Sequence, residues 1–213
     1  MTLSTIEDAI QDVRQGRMVI VVDDEARENE GDLVLAAQKA TPEAINFMIT
    51  HAKGLVCMPM QKARLEQLKI PPMIHHNDFN RCMFTMSVDY KIGTSTGISP
   101  KDRSATIQGL INPKAKAEDF AQPGHLFPLV YREGGVLVRE GHTEASVDLA
   151  RLAGLEPAAV ICEIINEDGT MATLPDLRHF SKKHNNMKIV SIEDLKKYLQ
   201  SSSRKVEAQL VHG

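Results

Sequence analysis

Between residues 23 and 32 the chain packs six carboxylates and one arginine into ten positions, Asp23-Asp24-Glu25-Ala26-Arg27-Glu28-Asn29-Glu30-Gly31-Asp32, with a short apolar run on either side. The runs, Met18-Val19-Ile20-Val21-Val22 and Leu33-Val34-Leu35-Ala36-Ala37, are β-rich and short, which predicts two buried strands. So tight a connection leaves no room for a crossover helix, and the two strands must pair antiparallel. Carboxylates crowded at the ends of core strands repel one another, and a bound cation or a cationic ligand is the cheapest way to keep them together. A solvated acidic hairpin loop carries the same letters, so the rest of the chain has to decide.

Ser4-Thr5-Ile6-Glu7 is a capping box that opens a helix stopped by Gly16. Thr41-Pro42 begins a second helix that ends at Gly54, and Leu55-Val56-Cys57-Met58 follows as a buried strand, with Cys57 a small core residue. A short helix covers Gln61 to Leu68, and Phe84 to Val88 alternates like a strand with one wet face. Ser99 caps and Pro100 starts another helix. Downstream, Gln122-Pro123-Gly124-His125 is predicted as a turn, Gly135 to Arg139 as a strand, Ala145 to Leu152 as an apolar-faced helix, and Pro157 to Ile165 as a strand. Lys188-Ile189-Val190 and a helix capped at Ser191 close the pattern. The expected architecture is mixed α/β (α+β), one domain over residues 1–200 with a mixed sheet flanked by helices, and a loose polar tail over 201–213.

At 213 residues and a formal charge of −3, the chain builds one sizeable core and lacks the basic excess that nucleic acid demands. No segment approaches membrane-spanning length, and the first eleven residues carry Glu7 and Asp8 in place of a signal peptide's apolar core. Three cysteines, Cys57, Cys82 and Cys162, form no Cys-x-x-Cys pair, which argues against a zinc knuckle or disulfide framework and for a reducing cytoplasm.

Four further stretches carry chemistry. In Arg139-Glu140-Gly141-His142-Thr143-Glu144 a strand end, a glycine and a hydroxyl cap at a helix start make an anion seat, with Arg139 as a fork of donors and His142 as a candidate metal ligand. The Gly93-Thr94-Ser95-Thr96-Gly97 loop offers amides and hydroxyls to a phosphate, although it lacks a Walker lysine. His125 is a candidate general acid or base near neutral pH, and Glu163, at the far end of an apolar strand, is a second candidate base. A capped turn, a turn histidine and a strand-end carboxylate are the plain structural readings of these same residues.

Taken together and in order, the acidic loop, Gly54-Leu55-Val56-Cys57, Thr96-Gly97-Ile98-Ser99 with Asp102-Arg103, Pro123-Gly124-His125, Arg139 to Ala145, and Cys162-Glu163-Ile164 with Asp168-Gly169-Thr170-Met171-Ala172 resemble the 3,4-dihydroxy-2-butanone 4-phosphate synthase family of riboflavin biosynthesis. The likeness spans roughly residues 4 to 200. It implies a lyase that converts D-ribulose 5-phosphate into formate and L-3,4-dihydroxy-2-butanone 4-phosphate with two Mg2+ or Mn2+ ions. By the resemblance Glu28 and His142 hold the metal pair; Arg27, Glu28, Asp32 and the loop Arg139, Glu140, Gly141, His142, Thr143 contact substrate, as does Glu163; and His125 and Glu163 move protons. It makes Asp23, Asp24 and Glu25 part of a closing acidic loop, and it implies a homodimer with active sites near the interface. Ala26, Tyr90-Lys91-Ile92 and Ser95 depart from the family pattern, which bears on loop closure. Relatives fused to a GTP cyclohydrolase II domain carry clustered zinc cysteines that this chain lacks. The competing readings are another metal-dependent sugar phosphate enzyme and a module that only binds a phosphorylated metabolite.

Overall fold

Alternation of short apolar runs with capped amphipathic stretches yields a seven-stranded sheet with helices on both faces. The structure is a computed structural model that describes residues 3–74 and 82–211, with side chains to residue 201. The strands are β1 (Val19–Val22), β2 (Gly31–Ala36), β3 (Cys57–Gln61), β4 (Val88–Tyr90), β5 (Phe120–Tyr131), β6 (Ala159–Glu163) and β7 (Ile189–Ser191), in spatial order β4-β5-β3-β6-β2-β1-β7. Antiparallel pairing joins β1 to β2, β2 to β6, β3 to β6 and β4 to β5, while β1–β7 and β3–β5 are parallel. The sheet is therefore mixed, as predicted.

Side-chain alternation divides the core in two. Leu33, Leu35, Val160 and Cys162 face one apolar cluster, which takes Ile45 of α2 (Pro42–Phe47), Leu65 of α3 (Lys62–Gln67), Ile107 and Leu110 of α4 (Pro100–Ile111) and Leu177 of α6 (Leu174–Lys183). Val34, Ala36 and Ile161 face the other, with Ala9 and Val13 of α1 (Ile6–Arg14), Ala145 and Leu149 of α5 (His142–Leu152) and Leu195 of α7 (Ile192–Val211). Asp32 and Glu163 share the parity of Val34 and Ile161, so these carboxylates stand on the α5 face.

Several local expectations give way to tertiary context. Gly135 to Arg139 is not a strand but a 3-10 turn over Gly135–Leu137. Gly134 and Gly135 both take positive φ (93° and 61°), and the Val136 amide donates to the Asp148 carboxylate at 2.8 Å in place of a ladder partner. Gln122 to His125, predicted as a turn, is instead an excursion inside β5: Val88 pairs with Leu126 while Asp89 pairs with Ala121, which leaves residues 122–125 opposite a single step of β4. Of Phe84 to Val88 only isolated bridges at Phe84 and Thr85 form before β4 begins. Helical backbone of α7 continues past Gln200, where a loose tail was expected. Caps behave locally, as caps should: Thr5, Thr41 and Ser99 each accept the amide three residues on, each worth about 1 kcal/mol.

One packing detail makes stability pH-dependent. His184 lies in a ring cluster with Phe180 (4.5 Å between centroids), His51 (4.7 Å) and Phe47 (5.1 Å). Burial, then His51 and Lys183, hold its pKa below the ordinary value. A histidine depressed in the folded state stays neutral there while the unfolded chain takes the proton, so stability falls as pH drops through the unfolded value of about 6.5. The melting temperature is expected to fall less between pH 7.5 and 5.5 in His184→Phe than in the native chain, as read by calorimetry; parallel curves would refute the account.

Candidate metal and substrate site

The loop between β1 and β2 is organised by its own first carboxylate. Asp23 accepts from the Glu28 amide (Oδ2, 2.9 Å), the Glu30 amide (Oδ1, 2.9 Å) and Arg27 Nη1 (Oδ2, 2.9 Å), and only 1% of its side chain is exposed. Those bonds fold the loop back so that Glu28 stands beside Asp23, with the Arg27 guanidinium lying across Glu28 at 2.7 Å to Oε2 and 3.2 Å to Oε1. The third wall is His142, in the first turn of α5, whose Nδ1 lies 3.8 Å from Glu28 Oε2. Ligand atoms of Asp23, Glu28 and His142 all lie within 4.8 Å of one another. Asp23 was expected in the closing loop and not beside the ligands; its place directly after an apolar strand was the available signal.

Asp32, expected within the acidic loop, is instead part of β2, 3% exposed and in register with Glu163 of β6. Burial pushes its carboxyl up to about 7, with His142 pulling it down and Glu163, Glu30 and Glu28 pushing it up. The pairing with His142, against the cost of burial and with help from Arg27, holds Glu28 down at about 2. Burial alone would lower His142, but Asp32, Glu28 and Asp23 outweigh it and raise the imidazole to about 9. Two buried atoms, Asp32 Oδ1 and His142 Nε2, have no hydrogen-bond partner among the described residues. Buried polar atoms are almost always satisfied, so such a pair marks a place that a ligand, ion or water completes. Carboxylate oxygens with one imidazole suit a hard divalent cation of the magnesium or manganese kind.

Glu163 is half-buried, its Oε2 accepting from the Leu55 amide at 2.8 Å. A Cβ on Gly54 would stand 2.4 Å from the Glu163 carbonyl oxygen and 2.5 Å from Oε2, so this close approach needs glycine. At the start of α5 the cap is Gly141 with no side-chain acceptor, which corrects the assignment of Thr143 as cap; the Thr143 hydroxyl meets Cys82 Sγ at 3.3 Å. Arg139 Nη1 bonds Glu144 Oε2 at 2.6 Å, 8% and 1% of their side chains being exposed, so the guanidinium is pre-positioned by a buried partner. Glu140 is exposed and pairs with Lys196. In the glycine and hydroxyl loop, Ser95 Oγ and the Gly97 amide both donate to Asp102, at 2.7 and 3.0 Å, so that carboxylate at the start of α4 occupies these two donors. His125, exposed on the β5 excursion, bonds Asp89, and no hydrogen bond or ion pair among the described residues joins it to the acidic loop.

Residues 7–198 match the family model for 3,4-dihydroxy-2-butanone 4-phosphate synthase. The chain belongs to the 3,4-dihydroxy-2-butanone 4-phosphate synthase family. Among curated relatives, the riboflavin biosynthesis protein RibBA of Aquifex aeolicus is 60% identical over 92% of this chain and 48% of its own length. The probable bifunctional RIBA 2 of rice, named a chloroplast protein, is 56% identical over 98% of this chain and 38% of its own. The chain thus spans half or less of the length of these relatives. A solved synthase in complex with two magnesium ions superposes with a TM-score of 0.88 at 38% identity, covering 94% of this chain and 98% of that one. The synthase of Candida albicans does so at 0.86 and 43% identity, covering 93% and 99%.

Proposed function

We propose that this chain converts D-ribulose 5-phosphate into L-3,4-dihydroxy-2-butanone 4-phosphate and formate, within riboflavin biosynthesis, with Mg2+ or Mn2+ as cofactor. The observation that carries the reading is the buried Nε2 of His142, without a hydrogen-bond partner among the described residues, beside Glu28, Asp23 and Asp32, a donor set made for a hard cation and a polyhydroxy ligand. Divalent ions at such a site stabilise the charge that enolisation and skeletal rearrangement build on adjacent oxygens. Glu28 and His142 hold the metal pair, with Asp23 fixing the loop that presents Glu28. Asp32, near neutrality, hydrogen-bonds a substrate hydroxyl. The amides of His142 and Thr143 at the start of α5, capped by Gly141 whose own amide is bonded to the Arg139 carbonyl, seat the phosphate with Arg139 and Arg27, and Glu140 closes that loop's outer side. Glu163 takes up a proton at Oε1, since its other oxygen is held by Leu55. Atoms balance without an external oxidant: a five-carbon phosphate divides into a four-carbon phosphate and a one-carbon acid.

His125 is the second proton-transfer group, and its exposed place on β5 supports a homodimer in which each protomer lends His125 to its partner's metal loop. The family resemblance and three free cysteines support a small-molecule enzyme of the cytoplasm, and among the described residues no helix is long and apolar enough to cross a membrane.

The chain with ribulose 5-phosphate and magnesium is expected to release formate, and to release none with chelator or as Glu163→Ala; inorganic phosphate or a rearranged pentose in place of formate would overturn the reading. Mixing the inactive Glu28→Gln and His125→Gln chains and allowing subunits to exchange is expected to restore about a quarter of native activity, because half the dimers are mixed and each holds one intact site. No recovery would place the whole site within one protomer.

A further inference from the structure

The carboxylate of Asp89 grips His125 twice. The His125 backbone amide donates to Oδ1 at 2.9 Å, and its ring Nδ1 lies 2.7 Å from Oδ2. One contact fixes the backbone of the β5 excursion and the other fixes the ring, so that both the place and the plane of the imidazole are set by a single side chain. Fastening the excursion needs only the first; the second reaches the ring itself.

Further residues of the fold serve this contact. Gly124 donates its amide to the Ser87 carbonyl at 3.0 Å, and a Cβ there would stand 2.1 Å from the Val88 carbonyl carbon, so glycine alone lets the excursion lie flat on β4 and deliver His125 to Asp89. On the other side, a Cβ on Gly97, whose φ is +94°, would stand 2.1 Å from Asp89 Oδ2. The loop that carries Gly97 is pinned from below by Asp102. The glycine and hydroxyl loop thereby forms the wall behind Asp89. The Asp89 side chain is 15% exposed, against 43% for His125, so the carboxylate sits in the wall while the ring's far side faces outward.

We propose that Asp89 is the positioning residue of the reaction, an orienting carboxylate that holds His125 in the Nδ1–H tautomer and leaves Nε2 as the atom that takes and returns the proton. The assignment rests on the reading of His125 as a proton-transfer group. A carboxylate on Nδ1 decides which ring nitrogen carries the proton and stabilises the imidazolium as it forms, which is how an exposed histidine becomes a directed base.

The test uses the full chain with magnesium. In Asp89→Asn, kcat for formate is expected to fall by about a hundredfold with KM changed by less than about threefold. The ring 15N signature of His125 is expected to move from Nδ1–H toward Nε2–H. Asp89→Glu is expected to recover part of kcat and the native tautomer. Gly97→Ala, which pushes on the same carboxylate without altering it, is expected to shift the tautomer in the same direction. Native kcat in Asp89→Asn, or a tautomer unmoved by it, overturns the positioning role. Native formate release in His125→Gln overturns the proton-transfer reading instead, and separates the two failures; the positioning role falls with it.

Discussion

Glu28→Gln is expected to weaken divalent-metal binding by more than about a hundredfold and to reduce formate release at least as much, with the fold intact. Perturbing the groups that merely orient metal ligands costs 10- to 100-fold, so loss of a ligand's charge sets that as a floor. The variant keeps the shape of the side chain but turns a carboxylate held near pKa 2 into a neutral amide, and with it goes the charge that faces both His142 and the Arg27 guanidinium. Stability tells a different story. The Glu28 side chain is 50% exposed and its contact with Arg27 is a partly solvated ion pair, so the charge that His142 and Arg27 favour contributes only modestly to stability. The melting temperature is therefore expected to fall by only about 2–4 °C, for a loss of about 1 kcal/mol. Calorimetric titration with Mg2+ and Mn2+ checks the first claim and thermal unfolding the second. Native affinity in the variant would remove Glu28 from the metal site.

Gly54→Ala is expected to do the opposite, damaging fold and chemistry together. The added Cβ meets the Glu163 carbonyl oxygen at 2.4 Å, its amide nitrogen at 2.7 Å and Oε2 at 2.5 Å. A side-chain oxygen can swing aside, but the two backbone atoms belong to β6, which is hydrogen-bonded to β2 along its length and cannot retreat. Overpacking of this kind costs about 1–3 kcal/mol, which for a chain of this size lowers the melting temperature by roughly 2–12 °C. It also moves Glu163 from its bond with Leu55, and misplacing a catalytic group by about 1 Å costs about a hundredfold in rate. Glu163→Ala combined with Gly54→Ala separates the terms: the stability loss persists, because the backbone clash remains. Gly54→Ala with native stability and rate would show that the backbone leading into β3 yields at this point.

The acidic loop, its two strands, the helix caps and the order of motifs were legible because each is written within a few neighbouring residues. Alternation at period two placed Val34 and Leu33 on opposite faces, and Thr5, Thr41 and Ser99 announced their helices from three residues away. Where a run lacked a partner strand, the same letters misled: Leu137 and Val138 look like strand residues, yet they end 45% and 47% exposed on a 3-10 turn because two left-handed glycines redirect the chain.

By itself, then, the sequence determined a mixed α/β sheet, the family, and a roster of carboxylates and histidines. It did not determine which of them stand together. Asp32 is buried because β2 pairs with β6, Asp23 is a seat because amides up to seven residues on fold back to it, Arg139 is committed to Glu144, and His125 is turned to Asp89 across two strands. Glu163 and the amide that holds it are 108 positions apart. Local pattern is fixed by neighbours within about a helical turn, while register, burial and the charge of a site come from pairings across the whole chain, and only the assembled sheet makes those pairings.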